Sequence, residues 1–298
     1  MEAKEIILGN LPSSVSKEIS DISFSDIEEI RLRAGRRLAV YSAGRYTCFG
    51  HIVTCGEIEQ TLQIISGSSV YAYIEEIKNC FITLEGGHRV GLCGRAVIEG
   101  GRIKNIIHIS GVNFRIARQI KGAADKIMPY IEKNNIQNTL IISPPQCGKT
   151  TIIRDAARQL GSRFKVSVID ERGEIAAMHK GMPQYDIGDM TDVLDLCPKA
   201  IGIPLMLRSM SPDVIITDEI AGCDVEAIKQ ALSCGVRIIA TAHGDNVWQV
   251  KKRLGGGSIM EEFGCIILLG RRNGPGTIER IEEIGIKTGS KSGQSLII

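Results

Sequence analysis

The sequence predicts an α/β protein: a smaller α+β domain, followed by a domain built on a mostly parallel sheet. Three observations carry this. Residues 137–298 alternate apolar strand runs with helical patterns, the rhythm of a parallel sheet with helices on both faces. Four of those strand runs end in polar, chemistry-bearing residues. Residues 1–111 read instead as hairpins interrupted by short helices. At 298 residues the chain exceeds one typical domain. The expected division is an N-terminal α+β domain over 1–111, a linker with a lead-in helix over 112–136, and the second domain over 137–298.

Taken in order, residues 1 to about 25 form a lead-in with a helical piece, started at Leu11-Pro-Ser-Ser-Val-Ser. Ile27-Glu-Glu-Ile-Arg-Leu-Arg33 alternates like a strand and stops at Ala34-Gly35. Leu38–Tyr41 and Tyr46–Phe49 flank Ser42-Ala-Gly-Arg45, a hairpin pattern. Periodic Ile, Leu and Tyr from Thr54 to Asn79 predict one or two helices. Phe81–Leu84 and Arg89–Cys93 flank Glu85-Gly-Gly-His88, a second hairpin, and strand signals continue to Ile109. Val112–Arg118 is expected to bridge the domains, and a helix from about Ala123 to Lys133 leads into the next strand. Leu254-Gly-Gly-Gly-Ser258 is a loop, and Ile266–Leu269 with Thr277–Ile281 closes the sheet.

The densest signal is Ser143-Pro-Pro-Gln-Cys-Gly-Lys-Thr150, set between the apolar run Thr139–Ile142 and a helical pattern that starts near Thr151. Strand, tight loop and helix start in that order form a P-loop, whose backbone N–H groups cradle nucleotide phosphates. The expected nucleotide-binding residues are Ser143, Pro144, Pro145, Gln146, Cys147, Gly148, Lys149, Thr150 and Thr151. Gly148 allows close backbone approach. Lys149 would reach the β- and γ-phosphates, and the Thr150 hydroxyl would ligate Mg²⁺. The pattern expects Gly where Ser143 stands, at some cost in turn freedom. Taken alone, the stretch also fits a strand–helix turn with an incidental Gly-Lys-Thr.

Three more strand ends carry polar groups. Val214-Ile-Ile-Thr-Asp-Glu219 is a buried-strand run ending in two acids. Asp218 would hold Mg²⁺ through water, and Glu219 would orient or deprotonate an attacking water. Val166-Ser-Val-Ile-Asp-Glu171 ends in acids as well, with Glu174 close behind. Arg237-Ile-Ile-Ala-Thr-Ala-His243 ends in a histidine. Singly, these are ordinary helix caps and strand ends. Four converging on one sheet edge are not. The chemistry implied is ATP with Mg²⁺ as cofactor.

Bulk composition narrows the class. A net charge of +2 is too small to argue for nucleic acid or an anionic membrane. Nine cysteines, scattered and without zinc spacing, read as reduced, buried small hydrophobes, which fits a cytoplasmic setting. Cys147, beside a helix start, is expected to be sensitive to alkylation. No stretch approaches the roughly 20 apolar residues that span a bilayer, and the N-terminus does not read as a secretory signal. Docking at a membrane would then need a partner.

The ordered set of loop, Asp170-Glu171, Leu207-Arg-Ser-Met-Ser-Pro-Asp-Val-Ile-Ile-Thr-Asp-Glu219 and Thr241-Ala-His243 resembles the hexameric ATPases of type II and type IV secretion and pilus machines. The closer resemblance is to their sporulation branch, the stage III AA ATPases. It is carried by Glu29–Gly35, Gly111–Arg118, Val168–Ile175, Thr191–Asp195 and Arg208–Pro212. It runs from about residue 26 nearly to the end. The resemblance implies a RecA-like P-loop ATPase domain and a ring, self-associated as a hexamer. That ring would be docked on a membrane channel complex between mother cell and forespore. It implies that Glu171 belongs to an acidic Asp box and that His243 senses the γ-phosphate. It also implies that at least one of Arg89, Arg95 and Arg115 reaches the nucleotide from the first domain. Two alternatives remain open: a P-loop motor on nucleic acid, using Lys251-Lys252-Arg253 and Arg271-Arg272, and a nucleotide-gated assembly module with little turnover.

Overall fold

The computed structural model describes residues 3–67, 73–133, 135–283 and 295–297. It divides into two compact units, residues 1–118 with 177–184, and residues 119–176 with 185–298.

In the first unit, α1 (Ala3–Gly9) and α2 (Ser13–Ile19) precede the sheet, with Pro12 at the head of α2. Next come β1 (Ile27–Arg33), β2 (Arg37–Ser42) and β3 (Arg45–Ile52). Ala43 and Gly44 turn between β2 and β3 with φ of 47° and 78°, the positive pair that a two-residue hairpin turn matched to strand twist requires. The helix α3 (Cys55–Ile65) starts with a capping box. The Thr54 hydroxyl accepts from the Glu57 N–H at 3.2 Å, and the Glu57 carboxylate accepts from the Thr54 N–H at 2.8 Å. Then follow α4 (Ile74–Lys78), β4 (Phe81–Thr83), β5 (Arg89–Glu99) and β6 (Arg102–Arg115). The part of the expected helical run at 68–72 lies outside the described residues. Among the described residues, six antiparallel strands order as β3-β2-β1-β6-β5-β4. Ile7, Val15, Ile19 and Ile58 from the helices share one core with Ile30, Leu32, Val90, Val112 and Phe114 from the strands.

The stretch from Val112 is not a bridge. Val112 and Phe114 are buried, and they pair with Leu32 and Ile30 on one side and Leu92 and Val90 on the other. A strand so placed is the middle of the sheet. The first unit therefore runs past residue 111 to Arg118, and 112–136 is not one linker. Residues 177–184 also fold with this unit: the Gly86 N–H donates to the Gln184 Oε1 at 2.8 Å, and His179 Nδ1 lies 2.9 Å from the Thr83 carbonyl.

Buried His88 makes the stability of this unit pH-dependent. Its Nδ1 accepts the Ala117 N–H at 3.0 Å, and burial pushes its pKa from 6.5 down to about 4. Between pH 6.5 and 4 the unfolded chain takes up a proton that the folded chain resists. Stability is therefore full above pH 6.5 and is lost as pH falls toward 4, by on the order of 3 kcal/mol. Asp170 and Asp218, whose pKa values are raised by burial, act in the opposite sense over part of this window. The quantity to measure is thus the difference between wild type and His88→Gln in chemical denaturation at pH 7 and pH 4.5. The substitution is expected to flatten the acid loss. Equal losses in both proteins would remove His88 as the cause.

The second unit opens with α5 (Met128–Ile131) only. The longer lead-in helix expected from Ala123 is instead a series of turns, because Pro129 supplies no N–H to bond back to residue 125. Then come β7 (Thr139–Ser143), α6 (Lys149–Leu160), β8 (Val166–Asp170), β9 (Thr191–Asp195) and α7 (Lys199–Met210). They are followed by β10 (Val214–Thr217), α8 (Val225–Ser233), β11 (Arg237–His243), α9 (Val247–Arg253) and α10 (Ser258–Glu261). The last strands are β12 (Cys265–Gly270), β13 (Thr277–Glu283) and β14 (Ser295–Ile297). Among the described residues the sheet order is β14-β13-β12-β7-β11-β10-β8-β9, parallel from β9 to β12 and antiparallel beyond. Strand alternation sends Ile141, Val168, Ile216 and Ile239 to the face covered by Ile152, Ile153, Ala156 and Leu160 of α6. Leu140, Ile142, Ile215 and Ile238 go to the opposite face, under Ile203, Met206, Ile228 and Val250. Both faces are thus buried, which is why β7 and β10 are apolar throughout except at their ends, and β8 carries only the small, buried Ser167 inside its run.

The cysteines are not the uniformly buried set expected. Cys147 and Cys265 are buried, Cys197 is half-buried, and Cys48, Cys55, Cys80, Cys93, Cys223 and Cys234 are exposed; all nine are free thiols. Burial pushes the Cys265 thiol up to about 12. Among the described residues, no helix is long and apolar enough to cross a membrane.

Candidate nucleotide site at the strand ends

Parallel register brings the four strand ends level. Ser143 pairs with His243, Thr217 with Ala240, and Thr217 with Ile169. The residues just beyond those pairs therefore crowd one edge. This is the edge at which open α/β sheets bind ligands.

Ser143 is still in β7, and among the described residues it is not one of those with positive φ. The expected cost of Ser for Gly at this position therefore does not arise. The turn is made further on, by Gln146 at φ 60° and Gly148 at φ 83°. Gly148 is needed twice: for that φ, and because a Cβ there would meet the Gly276 nitrogen at 3.2 Å. The loop is held from outside. The Gly276 N–H donates to the Cys147 carbonyl at 2.9 Å, and Arg271 donates to the Gln146 carbonyl at 2.7 Å and to its side-chain oxygen at 2.9 Å. Cys147 is buried and its thiol points at the Pro145 carbonyl, so the expected sensitivity to alkylation is blocked by lack of access. Pro145 and Gln146 are exposed at the loop tip, with Pro144, Gly148, Thr150 and Thr151 half-exposed.

Lys149 begins α6 and folds back over the loop. Its Nζ lies 3.2 Å from Ser143 Oγ, 3.3 Å from the Pro144 carbonyl and 3.0 Å from His243 Nδ1. Burial pulls its pKa below the ordinary lysine value, and the charge of Glu219 offsets this only in part. His243 Nε2 is 2.6 Å from Glu219 Oε1, and Arg172 Nη1 is 2.6 Å from Glu219 Oε2. Lys149, His243, Glu219 and Arg172 therefore form one continuous polar chain across three strand ends. Glu219 itself sits at φ 36°, an unusual backbone for a side chain of this size. Its N–H is held by the Thr241 hydroxyl at 2.8 Å. Thr241 thus fixes the turn that aims Glu219 at His243, two residues further along β11.

The acidic end of β8 splits its roles. Asp170 is fully buried and accepts the N–H groups of Glu174, Ile175 and Ala176 at 2.8–2.9 Å. Arg154 of α6 donates to the carbonyls of Glu174 and Ile175. Asp170 is therefore the fastener of the loop behind β8. Glu171 points the other way and is ion-paired with Lys199, whose Nζ also lies 3.6 Å from Asp218 Oδ1. Burial pushes the Asp218 carboxyl up to about 6, against the Lys199 charge, with Asp170 and Glu219 adding to the rise. Asp218 Oδ1 is buried and accepts no hydrogen bond. The orphaned, buried oxygen of Asp218 fits a part toward a magnesium ion reached through water, and the Thr150 hydroxyl in the first turn of α6 is the group that would hold the ion directly.

A family model described as "Sporulation stage III, protein AA" matches residues 1–288. The chain belongs to that family. It is 41% identical over 283 residues to stage III sporulation protein AA of Bacillus subtilis (strain 168), covering 91% of this chain and 92% of that one. In fold it is similar to the pilus retraction motor PilT crystallised with ADP: TM-score 0.58, 15% identity, 96% of this chain and 82% of that one. It is likewise similar to the Legionella pneumophila ATPase DotB: TM-score 0.56, 17% identity, 81% and 72%. The fold of this family member is thus similar to that of PilT and DotB: one unit has a mostly parallel sheet, and the other has an antiparallel sheet.

The first unit carries Arg89, Arg95 and Arg115. Arg89 and Arg115 are direct cross-strand neighbours, with Arg89 stacked 3.8 Å over the Phe81 ring. Arg95 pairs with Ile107 further out, roughly 20 Å along the strand at 3.3–3.4 Å per residue. Sequence reasoning missed Arg172 and Lys199, and it gave Arg271 a different part, in a basic cluster for nucleic acid, where the structure sets it on Gln146. Arg172 follows Asp170-Glu171 directly, so its adjacency to a flagged strand end was a usable signal. Lys199 carried none, because it reaches the site through folding from elsewhere.

Proposed function

We propose that the chain is a Mg²⁺-dependent ATPase that works as a ring, energising a transenvelope channel complex during sporulation. The observation that carries the chemistry is the polar chain Lys149–His243–Glu219–Arg172 beside the glycine-turned loop. In this reading the loop N–H groups and Lys149 bind the phosphates, and Lys149 exchanges its contacts with Ser143 and Pro144 for phosphate oxygens. Glu219, fixed by His243 and Arg172, takes the proton of the attacking water. His243 links base and Lys149, so it can register whether the γ-position is filled. Mg²⁺, when bound, neutralises charge on the β- and γ-phosphates. Gly276, which donates to the Cys147 carbonyl, also lines a cavity of about 890 Å³ with Tyr130, Ile278 and the charged Lys126, Arg272 and Glu279; in this reading the rest of the nucleotide lies on that side of the loop.

Ring formation, the hexamer, the cytoplasmic mother-cell setting and the channel partner rest on the family and on the fold similarity. The nucleic-acid alternative is weakened, although Lys251, Lys252 and Arg272 stay exposed. Arg271 is committed to Gln146 and Arg253 donates to the His243 carbonyl, so neither cluster is simply a free basic patch.

The test is ATP turnover by the purified chain, with Mg²⁺ and with chelator, across a dilution series followed by sedimentation. Turnover is expected to need Mg²⁺, to rise per subunit as the assembly forms, and to vanish in Lys149→Ala. Wild-type turnover in Lys149→Ala would sink the phosphate-loop assignment. Constant specific activity from a monomer would sink the ring.

A further inference from the structure

Lys199 is buried, with only 3% of its surface exposed, and it sits at the first position of α7, directly after Pro198. That end of a helix carries positive partial charge and favours acids, not a lysine. Helix stability therefore does not explain the residue. A buried ammonium is costly unless it is paired. Its partners are Glu171, at the end of β8, and Asp218, at the end of β10. These carboxylates are far apart in sequence and meet at one Nζ. Asp218 Oδ1 has no hydrogen bond from elsewhere.

We propose that Lys199 is a positioning residue of the metal site, an internal cation that holds Asp218 and Glu171 together and competes with Mg²⁺ for them. The inference rests on the ATPase reading for the identity of the metal. A tethered cation between these acids lets both strand ends stay close without mutual repulsion. It also sets how much free Mg²⁺ is needed to engage Asp218. Without it, two acids at this edge lack their counter-charge, and a divalent ion is the natural replacement.

The experiment is thermal unfolding of the full chain without nucleotide, in wild type, Lys199→Met and Lys199→Arg. Each is measured in chelator and in millimolar Mg²⁺, at matched ionic strength with Na⁺ as control. Lys199→Met is expected to melt below wild type in chelator and to recover by roughly 5 °C or more with Mg²⁺ well above its dissociation constant. Wild type and Lys199→Arg are expected to respond much less. If Lys199→Met does not fold in chelator, it is expected to fold when Mg²⁺ is supplied. A low melting point indifferent to Mg²⁺ would make the lysine purely structural and overturn the proposal. So would Lys199→Met melting like wild type, an equal Mg²⁺ response in Lys199→Arg, or no folding in either buffer. Because no nucleotide is present, failure here leaves the ATPase reading standing. Absence of ATP turnover in wild type would remove that reading by a separate measurement.

Discussion

Glu219→Gln is expected to bind ATP with little change and to hydrolyse it about 10²- to 10⁴-fold more slowly, the range that a positioned general base contributes. The amide keeps the shape and can still hydrogen-bond His243, but it cannot take the proton of water. The backbone hold on residue 219, from its N–H to the Thr241 hydroxyl at 2.8 Å, does not depend on the side chain. The loss should therefore appear in kcat, with nucleotide affinity measured by equilibrium binding nearly intact. The substitution also removes the Glu219–Arg172 ion pair, so Arg172→Ala serves as a control and is expected to cost less. Full activity in Glu219→Gln would move the base elsewhere, with Glu171 the next candidate. The variant is also expected to trap an ATP-bound assembly, visible as a larger species in sedimentation with ATP.

The second large effect concerns the arginines of the first unit. An arginine that stabilises charge on the γ-phosphate is worth about 10³ to 10⁵ in rate in P-loop systems. Arg89 and Arg115 stand at one register position, and Arg95 stands several residues further out on the same strand as Arg89. One phosphate cannot be served from both places at once. Single alanine substitutions in the full chain are therefore expected to give a large fall in kcat at Arg89 or Arg115, or at Arg95, but not at both positions. Binding of ADP should stay close to wild type throughout. Arg31→Ala is the comparison: it is paired with Glu29 and stacked near Tyr46, and its change is expected to be small. Wild-type rates in all three variants would make the first unit a docking module without a catalytic share. Full-chain substitutions are preferable to cutting the chain at Gly111, because residues 112–118 and 177–184 belong to the first unit.

Local patterns were enough wherever a segment's structure follows from its own residues. The hairpin at Ala43-Gly44, the α3 start at Thr54 and the strands β7, β8, β10 and β11 all needed only turn chemistry or a continuous apolar run. The loop with Gly148 and Lys149 belongs here too, since its backbone geometry is demanded by nearby residues. Segments whose fate depends on distant partners read wrongly. Val112–Arg118 resembled a bridge because nothing local says that Leu32 and Leu92 will flank it. The lead-in helix was over-extended because apolar spacing masked the cost of Pro129. β9 went unrecognised as a strand, since Asp192 and Asp195 interrupt its pattern and only pairing along β8 makes it one.

The sequence by itself determined which residues stand at the strand ends: a glycine-turned loop with a lysine, acids at two strand ends and a histidine at a third, in a fixed order. It could do so because backbone turns and strand ends are short-range consequences of residue type. Only the tertiary structure decided how those groups are wired. Asp170 became a loop fastener because three N–H groups from the following turn close on it. Glu219 was joined to Lys149 through His243, and Lys199 was set between Glu171 and Asp218. These contacts join residues tens of positions apart, and parallel register is the physical reason they meet: it levels the ends of strands that the chain itself separates by whole helices.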